Sequence, residues 1–217
     1  MSDMLMTSEA YERLRQAIMQ LELAPGAGVS EAQLVKEFGL SKAAVRAALA
    51  RLRAEGLVVA EPRRAHVVAP LTLRDVLEIY DLRLLLEPPG AEAAAGRIAG
   101  DEVARLQELA APDVDDLGAF LSANRTIHLA IAEAAGNRRT ARILERLLDD
   151  SERARLVALR AGAASGGVRA RQELRSVLAE LEAGNGPRAK ELMAESIRVF
   201  RDELVESLQR AVLDMPL

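Results

Sequence analysis

Two pairs of residues in this 217-residue chain stand at spacings with chemical meaning: Lys42 with Arg46, and Asn124 with His128. Lys42 and Arg46 lie four apart behind Ser41, so on a helix they share one face. If the N-terminal half of that helix enters a major groove, Lys42 meets phosphate and Arg46 meets base edges. Arginine grips guanine O6 and N7 with two parallel N–H groups, worth roughly 1 to 3 kcal/mol of discrimination. The Ser41 hydroxyl and the free N–H groups at the helix start suit a phosphate oxygen. Arg51 adds charge further along. Arg63 and Arg64 fall between two β-branched runs and suit backbone or minor-groove contacts. His66 opens the second run, either as an exposed strand histidine or as a phosphate contact. For Lys42, Arg46 and Arg51 the plain alternative is a solvated helix face.

Leu117, Leu121, Asn124, His128 and Ile131 recur at spacings of 4, 3, 4 and 3, which puts an amide and an imidazole on an otherwise apolar, inward stripe. Burying both without partners costs a few kcal/mol, so something satisfies them, either core hydrogen bonds or a ligand. Arg83 lies one turn after Ile79, with its stem expected beside the core. It is either a charge partner for a ligand or a salt bridge to Glu87, its i+4 neighbour. Asn137 after Gly136 reads as a helix cap.

The absent residue types are as informative. No cysteine excludes disulfides, thiolate metal sites and a cysteine nucleophile, and two histidines are too few for a multi-histidine centre. Acidic residues are plentiful, but no spacing singles out an acid and base pair, so an enzyme is the remote reading. No apolar span of about 20 residues exists to cross a bilayer, and Met1 to Glu9 lacks a secretory pattern, so a cytoplasmic location is expected. The net charge of −4 argues against nucleic acid until it is located. Residues 1–70 carry +1 and the remainder −5, and from Ser41 to His66 six basic residues face two acidic ones.

The elements that must position these groups follow from periodicity. Tyr11, Leu14, Ile18 and Leu21 predict a helix over about 8–22, broken by Ala24-Pro25-Gly26. Ser30 caps a second helix with Leu34 and Phe38 buried, ending at Gly39; Ser41 caps a third, ending at Gly56. Leu57–Ala60 and His66–Ala69 predict a hairpin with a basic tip. From Thr72 onward the pattern is helix after helix, with Pro88-Pro89-Gly90 kinking or restarting the first of them. The fold class is therefore mostly α: a winged helix-turn-helix with a small β-hairpin over 1–70, then an all-α bundle of six or seven helices over 71–217.

The segments Tyr11–Met19, Leu23-Ala-Pro-Gly26, Ser41-Lys-Ala-Ala-Val-Arg46-Ala-Ala-Leu49 and Leu52-Arg-Ala-Glu-Gly-Leu57 resemble the DNA-binding domain of GntR-family bacterial transcription regulators. Asp81-Leu-Arg83-Leu-Leu-Leu-Glu87-Pro88, Asn124-Arg-Thr-Ile-His128, Ala135-Gly-Asn137 and the stretch from Val177 through Gly184-Asn185 to Met193 resemble the ligand-binding domain of its FadR subfamily. The resemblance covers nearly the whole chain in order. It implies a homodimeric regulator, a repressor, on a pseudo-palindromic double-stranded operator, controlled by a small-molecule effector, a carboxylate or acyl compound. By position it makes Arg46 the motif arginine and Arg83 the effector's guanidinium.

The departures are specific. Ala43-Ala44 replaces a usual Thr-Pro, Ala47 a usual acid and Ala65 a usual wing glycine, so operator identity does not carry over. Many relatives hold a divalent metal with one Asp and three His; the matching positions here are Asn124, His128, Leu174 and Ser196. One imidazole, one amide, one aliphatic chain and one hydroxyl do not make that site, so no metal or other cofactor is expected. Asn124, His128 and Ser196 then become hydrogen-bonding groups of an effector cavity, with Arg83. The alternative reading is a helical ligand-binding or protein-interaction module with a degenerate DNA head.

Overall fold

The computed structural model describes residues 2–61, 64–110, 117–160 and 167–213, which divide into two compact units, Met1–Thr72 and Leu73–Leu217. In the first unit α1 (Ser2–Met19) buries Ala10, Tyr11, Leu14, Ala17 and Ile18. It starts earlier than the apolar stripe requires and stops at Met19. Leu21 then turns the chain at φ 60, a left-handed geometry tolerated because its side chain is buried.

Strand β1 (Gly28–Val29) leads into α2 (Glu31–Phe38), whose start is fixed by the Ser30 Oγ accepting from the Gln33 N–H at 3.1 Å. Gly39 closes it at φ 64, where a Cβ would be strained. Helix α3 (Lys42–Ala54) begins the same way, with the Ser41 Oγ accepting from the Ala44 N–H at 3.2 Å. Strands β2 (Val58–Glu61) and β3 (Arg64–Val68) form the hairpin.

The sheet order is β1-β3-β2, antiparallel throughout, with Val29 opposite His66 and an irregularity between Val59 and Glu61. Two residues of β1 are too short for an alternation pattern, so sequence reasoning found a hairpin where there is a third strand. Leu14, Ile18, Leu34, Val45, Leu49, Leu52, Val58 and Val68 form one core. Phe38, expected inside, is only partly buried and packs against that core's edge.

The second unit is helical among its described residues: α4 (Leu73–Ala94), α5 (Gly100–Leu109), α6 (Leu117–Ala134), α7 (Arg138–Arg160), α8 (Gly167–Glu182) and α9 (Gly186–Leu213). Pro88 and Pro89 do not restart a helix but lie inside α4, so two expected helices are one, and the described residues of the bundle form six. The two prolines withhold N–H donors from the Leu84 and Leu85 carbonyls. Packing of α4 against α6, α7 and α9 carries the helix through.

Asn137 caps α7, its Oδ1 accepting from the Arg139 and Thr140 N–H groups at 3.1 and 3.3 Å. At the start of α9 a Cβ on Gly186 would lie 2.8 Å from the Glu92 carbonyl oxygen, so glycine lets α9 approach the α4 backbone. Among the described residues no helix is long and apolar enough to cross a membrane.

Candidate functional site

Helix α3 buries Ala44, Val45, Ala48, Leu49 and Leu52, which turns Lys42, Ala43, Arg46, Ala47 and Ala50 outward as one exposed face. The structure thus brings Lys42 and Arg46 together as their spacing requires. Ser41 spends its oxygen lone pair on the helix cap, leaving its O–H free to donate. Arg46 is 66% exposed, and its Nε and Nη2 each donate to a Glu31 oxygen at 3.0 Å. The hydrogen bond from Arg46 holds Glu31 below the usual carboxylate range; slight burial opposes this, and the charges of Arg46, Lys42 and His66 reinforce it.

Arg51 is not on that face. At 100° per residue it lies about 180° around α3 from Lys42. There its guanidinium stacks 3.4 Å from the centre of the Tyr11 ring and pairs with Glu55 at 3.3 Å, while the Tyr11 hydroxyl donates to Glu55 at 2.8 Å. Burial first, and then that bond to Glu55, raise the Tyr11 pKa. Arg51 therefore ties α3 to α1, a role its charge alone did not signal.

His66 is half-buried on β3 rather than exposed, and its Nδ1 is enclosed with no hydrogen-bond partner among the described residues. Arg63 lies outside the described residues, and Arg64 is placed as the first residue of β3.

In the second unit a narrow pocket with about 20 Å³ of free space is lined by Tyr80, Arg83, Leu121, Asn124, Arg125, His128, Ser151, Arg155, Ser196 and Phe200, among others. It brings together all four residues expected there, Arg83, Asn124, His128 and Ser196. Arg83 and His128 are both committed to Glu87: Arg83 Nε donates to Oε1 at 2.5 Å, and His128 Nδ1 pairs with Oε2. Arg83 Nη1 also donates to Ser151 Oγ at 3.3 Å. All three members of this row are buried. Burial pushes the Glu87 carboxyl up, but Arg83 and His128 together outweigh it and hold it down to about 2.

Each residue thus makes the protein contact weighed for it, Arg83 a buried salt bridge to Glu87 and His128 a core hydrogen bond to the same carboxylate. With Nδ1 donating to a carboxylate, the His128 Nε2 is the nitrogen left for the cavity.

Arg155, which sequence reasoning missed, is the less satisfied guanidinium. It is 6% exposed, its carbon lies 4.0 Å from the centre of the Phe200 ring, and its Nη1 has no hydrogen-bond partner among the described residues. Burial pushes its pKa down; Tyr80 and Glu203 oppose this and Arg83 adds to it. The available signal was its place on α7, among apolar residues at helical spacing, where a surface arginine does not belong.

Glu87 on a histidine Nδ1 is the outer partner that a metal-ligating imidazole often carries. The rest of the set does not fit a metal: Leu174 is a fully buried aliphatic chain, Ser196 is a neutral hydroxyl, and Asn124 offers one amide oxygen. Among the described residues no three His, Cys, Asp or Glu side chains are grouped to hold an ion.

Comparison with known proteins agrees with both units. The family of bacterial regulatory proteins, gntR family, matches residues 6–68, and the FCD domain matches residues 78–199. The chain belongs to the GntR family of transcription regulators, in its FCD-containing, FadR-like branch. It is a helix-turn-helix transcription regulator with an FCD domain, in a family of regulators rather than enzymes.

It is 28% identical over 145 residues to the HTH-type transcriptional regulator YdhC of Bacillus subtilis, a match covering 64% of this chain and 65% of YdhC. A shorter match, 42% over 78 residues, relates 36% of this chain to 31% of the gluconate operon transcriptional repressor of the same organism. The fold is shared with a GntR regulator from Rhodococcus sp. RHA1, at a TM-score of 0.77 and 24% identity, over 92% of this chain and 97% of that one.

Proposed function

We propose that this chain is a cytoplasmic, homodimeric repressor in which residues 1–70 read a pseudo-palindromic operator and residues 71–217 dimerise and bind an anionic small molecule, a carboxylate. The observation that carries the reading is the exposed Lys42–Arg46 face of α3, backed by a helix side that is wholly core. Two such helices about 34 Å apart read successive major grooves, which requires two copies. Repression is supported by the kinship with the gluconate operon repressor. The effector's charge is supported by the cavity, where Arg83 is already paired and Arg155 keeps an N–H unsatisfied. In this reading Arg155 takes the carboxylate, Arg83 holds Glu87 in place, and Asn124, Ser196 and the His128 Nε2 fix the rest of the ligand.

The test starts from duplexes enriched out of a randomised pool by the full-length protein. Arg46→Ala is expected to abolish preference for the enriched duplex, whereas Lys42→Ala lowers affinity for all duplexes and reduces the slope of log K against log salt by about 1. Enriched-duplex affinity unchanged in Arg46→Ala overturns the assignment. Failure to enrich any duplex would return the degenerate-head alternative.

A further inference from the structure

Glu31 is out of place on a surface meant for phosphate. It opens α2, where a carboxylate suits the positive end of the helix. Yet it also faces the basic cluster of Lys42, Arg46 and His66, where a negative charge repels a nucleic-acid backbone. Its contact with Arg46 is fork to fork, two bonds of 3.0 Å between residues fifteen apart in sequence and on different helices. Helix α3 has no acidic residue of its own, so the acceptor for Arg46 comes from outside it.

A guanidinium has two edges that present paired N–H groups: Nε with one Nη, and the two Nη together. Glu31 occupies the first. The second, Nη1 with the remaining hydrogen of Nη2, is left on a side chain that is 66% exposed. Two parallel N–H groups on one edge are what guanine O6 and N7 accept. An unheld arginine would have to surrender its rotamer freedom on binding, whereas one already clamped has done so.

We propose that Glu31 is a positioning residue for base reading: it fixes the plane of the Arg46 guanidinium so that the outer edge meets a guanine, at the expense of some sequence-independent affinity. This rests on Arg46 being the base reader. The Ser30 cap supports it, because the bond from Gln33 N–H fixes the backbone from which Glu31 projects.

The experiment compares binding to the duplex enriched by the unaltered protein with binding to a scrambled duplex of the same composition, by fluorescence anisotropy at fixed salt. Glu31→Gln is expected to bind the scrambled duplex as tightly or more tightly and the enriched one about tenfold more weakly, the lower part of the range for one bidentate contact. Glu31→Asp keeps the charge but is one methylene shorter and no longer reaches the fork; it should lose the same discrimination without gaining scrambled-duplex affinity. In an Arg46→Lys background Glu31→Gln should leave the ratio unchanged, since an ammonium offers no fork to hold.

If Glu31→Gln tightens both duplexes equally, Glu31 is only a repelling charge and the inference fails, even with Arg46→Ala still losing all preference. If Arg46→Ala keeps its preference, the base-reading assignment itself has failed. Thermal melting of each variant separates these outcomes from misfolding, and the aspartate arm retains the helix-start charge should the glutamine variant not fold.

Discussion

Glu87 carries a partner on each oxygen, the Arg83 guanidinium on one and the His128 Nδ1 on the other, and all three side chains are buried. Breaking such a buried pair leaves a bare charge, so Glu87→Gln should cost about 3 to 5 kcal/mol of stability, read from a urea midpoint. The pH dependence follows from the carboxyl's low pKa in the fold, about 2 against an ordinary value near 4.5. Its contribution is complete above that ordinary value and is lost as pH falls toward 2, so an acid titration of the unaltered protein should be steeper over that window than one of Glu87→Gln. Arg155 gives the opposite expectation. Because its charge is buried without full compensation, Arg155→Met should leave the melting temperature unchanged or raised, yet abolish stabilisation by a panel of carboxylates in thermal shift. A lower melting temperature with carboxylate stabilisation retained would make Arg155 structural. That His128 needs a partner was legible from one apolar stripe; that the partner is Glu87, forty-one residues away, was not, because only the packing of α4 on α6 brings them together.

At the scale of elements, caps and breaks were read well where they are local. Ser30, Gly39, Ser41 and Asn137 stand where side-chain caps and a left-handed residue are needed, and each does that work. Ser41→Ala should therefore cost about 1 kcal/mol in a denaturant titration, a loss separable from any DNA effect by melting without DNA. What failed was tertiary. Pro88-Pro89 is a helix breaker by propensity, yet α4 passes through it because three neighbouring helices hold it. Proline within a helix costs about 3 kcal/mol relative to alanine. Pro89 is exposed, so Pro89→Ala should stabilise the protein by about 1 to 2 kcal/mol after allowing for a looser unfolded chain. No gain in the urea midpoint would mean that the neighbours have already satisfied the carbonyl. Strand β1 escaped notice for a related reason, since two residues acquire strand identity only from β3 beside them. Arg51 falls on the side of α3 that meets α1, a matter of helix phase that its charge alone does not show.

At the scale of the molecule, a net charge of −4 hides the basic stretch from Ser41 to His66, and of the two histidines only His128 lies in the second unit, beside Asn124, Leu174 and Ser196 at the positions where relatives hold a metal. A ligand at 100 times its dissociation constant should add about 2.7 kcal/mol to the unit that binds it, and coupling to DNA of about 1 to 3 kcal/mol would appear as a matching change in operator affinity. Sedimentation at equilibrium should give twice the chain mass of 23.4 kDa. The distribution of aromatic residues offers a direct way to watch such coupling. The protein has no tryptophan and two tyrosines, Tyr11 against Arg51 and Glu55 in the first unit and Tyr80 in the wall of the cavity in the second. Ultraviolet emission therefore comes from one phenol per domain. In Tyr11→Phe all remaining fluorescence belongs to the cavity, and in Tyr80→Phe all of it belongs to the DNA-reading head. Two single-substitution proteins thus separate the two units optically, each without a label.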